Sequence, residues 1–142
     1  MKELRFMVAG SPIPQGSKSA RVFNGRAIMF EANKKLPAWR LAVSEAARLA
    51  MHDTEQVEPF TSPVRLTVTF FMERPKKPKH DLFPGSKPDC DKLIRAVCDS
   101  LTMAKAWADD ALAVEIHARK LWCGSSTDTY PNPGCLVQIT EL

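Results

Sequence analysis

No two of the four cysteines stand close together; they fall at positions 90, 98, 123 and 135. A zinc site opens on a near pair of ligands, so these spacings match no zinc pattern, and reduced thiols of an intracellular protein are the expectation. No apolar run approaches the length of a membrane span, and the opening MKELRFMVAG keeps charge where a signal peptide needs an unbroken apolar stretch. A cytoplasmic protein without a membrane partner is therefore expected. A phosphate-cradling loop is missing as well. In GSPIPQGSK, Gly10 to Lys18, five residues separate the glycines, serine precedes lysine and no helical pattern follows, which argues against a nucleotide cofactor. Three histidines are too few and too scattered for a Ser/His or Cys/His hydrolase: His52 and His80 fall in loops, and His117 points outward from an alternating strand. Repeats, linkers and low-complexity blocks are absent too.

What remains is an ordinary globular composition in 142 residues, read as one domain over residues 1–142. The net charge of +4 is mild, but its distribution is not. Residues 1–40 carry eight basic and two acidic side chains, and Arg65 to Lys79 carries five basic and one acidic. Basic stretches of this kind suit a polyanion.

Periodicity supplies the elements. ELRFMVAG alternates and ends on glycine, a first strand. SPIPQGSKSARVFNGR reads as a long loop or hairpin, and AIMF as a short second strand. Trp39, Val43, Ala46 and Ala50 step by four, three and four, giving a helix over 36–51 with Pro37 in its first turn. PVRLTVTFFME is strongly strand-forming. RPKKPKHDLFPGSKP, with four prolines, continues neither element. A second helix runs over 91–103, burying Leu93, Ile94, Val97 and Leu101, and LAVEIHARKLW and GCLVQITEL are further strands. Interleaved without strict alternation, these predict an α+β fold: a small mixed β-sheet with two main helices packed against it.

Against this basic background the acids of KPDCDKLIRAVCDSL and WADDALAV stand out. Asp91 has a structural reading as helix N-cap, and Asp89 as a turn residue before it. Yet Asp91, Arg95 and Asp99 fall at i, i+4 and i+8, on one helix face away from the leucines. Asp89 and Asp91 project to one side of an extended lead-in, and Asp110 meets them if the later strand pairs nearby. Carboxylates gathered so closely repel unless a cation sits between them, and hard divalent ions want oxygen ligands of this sort. A basic surface would then hold a phosphate backbone while the acids load the metal that attacks it. Lys18, Arg21 and Arg26 in the first loop read either as phosphate contacts or as a solvated hairpin. Lys76, Lys77 and Lys79 in RPKKPKH, with Lys87 and Lys92 beyond, are candidate backbone contacts. Trp39 is expected in the core, and Trp107 packs its turn or touches DNA, with packing the favoured reading.

The chain resembles the RusA-type Holliday-junction resolvases, small endonucleases of phages and bacteria. Their core reads approximately D-x-D-N-L-x-K, then D-A-L, a turn, and D-D before an apolar strand; here it stands as DCDKLIR, DSL and WADDALAV, with the intervals kept. FMVAGSPIPQGSKSAR is similar to the G-x-P-x-P-x-G-x-K opening of phage-type members. The resemblance implies a homodimer that cuts opposite strands of a four-way DNA junction with Mg²⁺, for which Mn²⁺ can substitute. It implies Asp89, Asp91 and Asp110 as metal ligands, Asp109 as a nearby acid, and Arg95 in the place of a catalytic lysine. Asp99 matches a further acidic position and is a structural partner for Arg95. Two positions depart from the pattern. Arg95 keeps the charge but is a poor proton donor, and Lys92 replaces an asparagine. A catalytically weak or inactive protein of the same fold that binds junctions or other branched DNA is the alternative.

Overall fold

The computed structural model describes residues 2–16, 19–30, 33–125 and 130–142, and for 19–23 and 27–30 only the backbone. Lys18 thus lies outside the described residues, as does the side chain of Arg21. Strands β1 (Glu3–Ala9), β4 (Val64–Met72), β5 (Ala113–Trp122) and β6 (Gly134–Glu141) form one four-stranded sheet in the order β1-β6-β4-β5. β6 runs antiparallel to both β1 and β4, whereas β4 and β5 are parallel, so the sheet is mixed. Strands β2 (Ser19–Phe23) and β3 (Arg26–Phe30) make a separate hairpin. Its turn is Asn24-Gly25, with positive φ at both residues (50° and 74°), the conformation that suits a two-residue hairpin turn. The AIMF strand is therefore one arm of this hairpin.

Helix α1 spans Leu36–Asp53 and α2 spans Cys90–Met103. They bury Leu36, Trp39, Val43 and Ala47 from one, and Leu93, Ala96, Val97 and Leu101 from the other, against Leu4, Phe6, Val8, Leu66, Val68, Val137 and Ile139 of the sheet. Each such fully buried aliphatic side chain stabilises the fold by roughly 1.5–3 kcal/mol. The α+β expectation of a small mixed sheet with two helices holds. Details differ. Ala46, Ala50 and Ile94 are only partly buried, because Ala47 and Ala96 lie nearer the centre of their helix stripes. Trp107 is buried and donates its indole N–H to Thr102 Oγ1 at 2.8 Å, the packing role. Gly134 opens β6 where a Cβ would stand 2.4 Å from Val8 O, so the close approach of β1 needs glycine there.

The parallel pair β4 and β5 has the most bearing on function. Parallel neighbours cannot be joined by a tight turn and need a crossover. Here the crossover consists of an arm over residues 73–89, helix α2, and a short 3₁₀ turn at Asp110–Leu112 that the sequence pattern does not announce. Every acid of the two motifs lies within it.

Candidate active site

Helix α2 begins one residue earlier than its pattern predicts. Asp89, not Asp91, holds the N-cap position, with extended φ and ψ (−71°, 139°), and Asp91 falls in the first turn. Asp89 O accepts from Leu93 N at 3.1 Å, the ordinary cap geometry of the backbone. Its side chain, however, makes no cap bond. Instead Asp89 Oδ2 lies 3.5 Å from Lys92 Nζ, so the lysine at the departing position supplies a local counter-charge. Lys87, Pro88, Asp89 and Lys92 line a groove shared with Pro12, Ile13 and Pro14 of the N-terminal segment.

Asp91 and Arg95 are exposed on the outer face of α2, one turn apart, and Asp99 is half-buried a turn further on. Asp99 does not take Arg95 as partner. Its carboxylate accepts a hydrogen bond from Gln15 Nε2. Gln15 Oε1 accepts in turn from Arg40 Nη1 at 3.1 Å, and Gln15 N donates to Lys92 O at 3.0 Å. Gln15 itself is buried, at 7% exposure, and sequence reasoning missed it because a glutamine in a proline-rich loop carries no periodic signal.

Asp109 and Asp110 lie against the same helix. Asp109 caps the 3₁₀ turn by accepting from Ala111 N at 3.0 Å; this bond, followed by one shared with Asp110, holds its carboxyl below the usual range. Asp110 moves the other way. The hydrogen bond to Asp109 raises its pKa, with desolvation and the charges of Asp109 and Asp99 adding to the effect. Beneath them the Cys98 thiol is pushed up to about 12, mainly by burial and then by Asp110 and Asp99, so it stays neutral.

Asp89 and Asp91 stand at the mouth of α2, Asp99 lies about 12 Å from Asp91 along the helix axis, two turns on, and the charge of Asp99 acts on Asp110. Among the described residues no group of three or more His, Cys, Asp or Glu side chains is gathered closely enough to hold a metal ion. Arg95 is exposed between Asp91 and Asp99 on the helix, and forms no ion pair among the described residues. As a donor set, the adjacent carboxyls of Asp109 and Asp110 fit a hard cation, since each bears on the other's charge and such ions take oxygen ligands.

Lys120, near the end of β5, was also invisible in the sequence. Its Nζ donates to Ser86 O and Pro88 O, both at 2.8 Å, tying the end of the arm to the sheet beside the mouth of α2. Lys76, Lys77, Lys79 and Lys87 of the arm are exposed, as are Lys92 and Arg26. No helix among the described residues is long and apolar enough to cross a membrane.

Comparison with known proteins adds two findings. The family described as Endodeoxyribonuclease RusA matches residues 9–130. The crossover junction endodeoxyribonuclease rusA of Lactococcus phage r1t is 32% identical over 59 residues, which make up 42% of this chain and 45% of that protein. The matched segment thus spans less than half the length of that relative.

Proposed function

The chain belongs to the RusA endodeoxyribonuclease family, and from that premise we propose that it is a metal-dependent endonuclease that resolves four-way DNA junctions by paired phosphodiester hydrolysis, in recombination or repair. The observation that carries this reading is the β4-to-β5 crossover. It strings Asp89, Asp91, Arg95, Asp99, Asp109 and Asp110 along one helix and its exit turn, next to an arm with four exposed lysines.

Asp89, Asp91, Asp110 and the adjoining Asp109 are the residues that would hold Mg²⁺, or Mn²⁺ in its place. When bound, the ion supplies Lewis-acid polarisation of phosphate and an activated water. Arg95 presents a planar fork to the non-bridging oxygens and stabilises the charge that builds on them. Lys76, Lys77, Lys79, Lys87 and Lys92, with Lys18, Arg21 and Arg26 of the N-terminal region, would hold the phosphate backbone by charge and not by base sequence. Paired cuts require two active sites, hence a homodimer. Strand β5 is the outer strand of the sheet and leaves Val114 and Ile116 open beside the Asp109–Asp110 turn, a surface suited to a second copy.

The test is a labelled four-way junction incubated with Mg²⁺ or with chelator. The wild type cuts two opposing strands only with Mg²⁺, and Asp91→Asn binds the junction without cutting it. Unchanged cleavage by Asp91→Asn removes the metal-site argument. One finding favours a second reading, a branched-DNA binder without nuclease activity: among the described residues no group of three or more His, Cys, Asp or Glu side chains is gathered closely enough to hold a metal ion. Binding without cleavage by the wild type at any Mg²⁺ or Mn²⁺ concentration selects that reading.

A further inference from the structure

In the middle of the basic arm two adjacent apolar side chains, Leu82 and Phe83, stand 80% and 63% exposed. Single exposed apolar residues are common and call for no account. This pair differs because the backbone on both sides of it is tied down. On the N-terminal side, Asp81 pairs with Arg74 through its carboxylate, and its carbonyl accepts from Trp122 Nε1 at 3.0 Å. On the C-terminal side Pro84 is buried, and Gly85 N donates to Phe83 O at 2.8 Å. Gly85 also packs so closely on the His80 ring that a Cβ would lie 2.9 Å from it. One and three residues further on, Lys120 grips Ser86 O and Pro88 O. The arm is thus a braced support that holds a ring and an isobutyl group out into solvent.

Building on the junction-nuclease reading above, we propose that Phe83, with Leu82, is a wedge that enters the interrupted base stack at the branch point and confers selectivity for branched over linear DNA. The charge around the pair identifies the partner. Lys76, Lys77, Lys79 and Lys87 surround it in sequence and match phosphates, not a lipid interior or an apolar protein face. Apolar side chains inserted between base steps are an established way for proteins to part a stack. In linear duplex that insertion must first break stacking. At a four-way junction the stack is already discontinuous where the strands exchange, so the ring stacks at little cost. Five residues past Phe83 the chain reaches Pro88 and then Asp89, so a wedge at the exchange point keeps the acidic mouth within one arm's length of it.

The experiment uses the full chain in chelator with a synthetic four-way junction carrying 2-aminopurine at the crossover, and a linear duplex of the same sequence. Wild type prefers the junction and raises 2-aminopurine fluorescence. Phe83→Ala is expected to lose roughly 5- to 100-fold in junction affinity, the worth of one stacked base. Its duplex affinity stays within two-fold, the fluorescence rise disappears, and Phe83→Trp restores both. A Phe83→Ala variant with an unchanged junction-to-duplex ratio and an unchanged fluorescence rise overturns the wedge while leaving the nuclease reading intact. Wild type that grips junction and duplex equally overturns the junction reading itself. Phe83 is exposed, so the variant should fold; a thermal melt matching the wild type verifies this.

Discussion

Gln15 and Asp99 are 84 residues apart in sequence, yet the amide of one donates directly to the carboxylate of the other. With Arg40 on its other end and Lys92 O on its backbone N–H, Gln15 fastens the N-terminal segment to the face of α2 that carries the candidate site. Gln15→Leu preserves the volume and deletes both side-chain bonds. Hydrogen bonds to a charged group contribute more than neutral ones, so the variant should lose about 1–3 kcal/mol of stability. Urea denaturation measures this, and an unchanged midpoint would mean that the contact is ornamental.

Asp109 and Asp110 are neighbours whose removal should act in opposite directions. The pKa of Asp110 is raised in the fold, chiefly by its bond to Asp109, so its ionisation works against folding. The favourable contribution of its protonated form is fully present below the ordinary carboxylate value and is lost as pH rises through the raised one. Asp110→Asn keeps a donor for Asp109 and removes the charge. Its melting temperature should exceed that of wild type at pH 7, by on the order of 1 °C, and the gap should close near pH 3. Asp109 is shifted downward by the Ala111 N–H, so Asp109→Ala should lower the melting temperature at pH 7 and lose that penalty in acid. Thermal denaturation at the two pH values checks both signs.

The elements themselves were legible because their burial follows period: Leu4, Phe6 and Val8 alternate, and Leu93, Val97 and Leu101 recur on one helix stripe. The family resemblance was legible because DCDKLIR and WADDALAV keep their spacing. The course of the chain into Asp110 was not. Asp110 opens a 3₁₀ turn capped by Asp109, and three residues of turn leave no periodic trace. Asp91 looked like an N-cap because aspartate is favoured there, but Asp89 is equally suited and precedes it. Gln15 and Lys120 escaped for a related reason. Each acts by reaching a distant backbone or side chain, and sequence spacing does not encode such contacts.

Arg95 replaces the lysine of the family pattern, and the change has a kinetic signature. If its fork stabilises charge on phosphate, Arg95→Ala should slow junction cleavage by about 10²–10³-fold while affinity changes far less. Arg95→Lys keeps a cation but not the planar fork and should fall between the two. Single-turnover cleavage rates, beside junction affinities in chelator, separate these outcomes. Equal rates for wild type and Arg95→Ala would remove Arg95 from the site.

The arm joins two recognition devices that salt can tell apart. Contacts between lysine and phosphate release condensed counterions, so each one steepens the fall of log affinity with log salt by about 0.9 on duplex arms. A stacked ring releases none. Neutralising Lys76, Lys77, Lys79 and Lys87 together should therefore flatten the slope by about 3 to 4 if all four reach phosphate, and weaken junction and linear duplex alike. Phe83→Ala should shift the junction line downward without changing its slope. Junction affinities measured between 50 and 300 mM salt in chelator, for the quadruple lysine variant and for Phe83→Ala, assign each residue to one device. A slope that the lysine variant leaves unchanged would place those four charges in solvent and return the polyanion contact to the N-terminal hairpin.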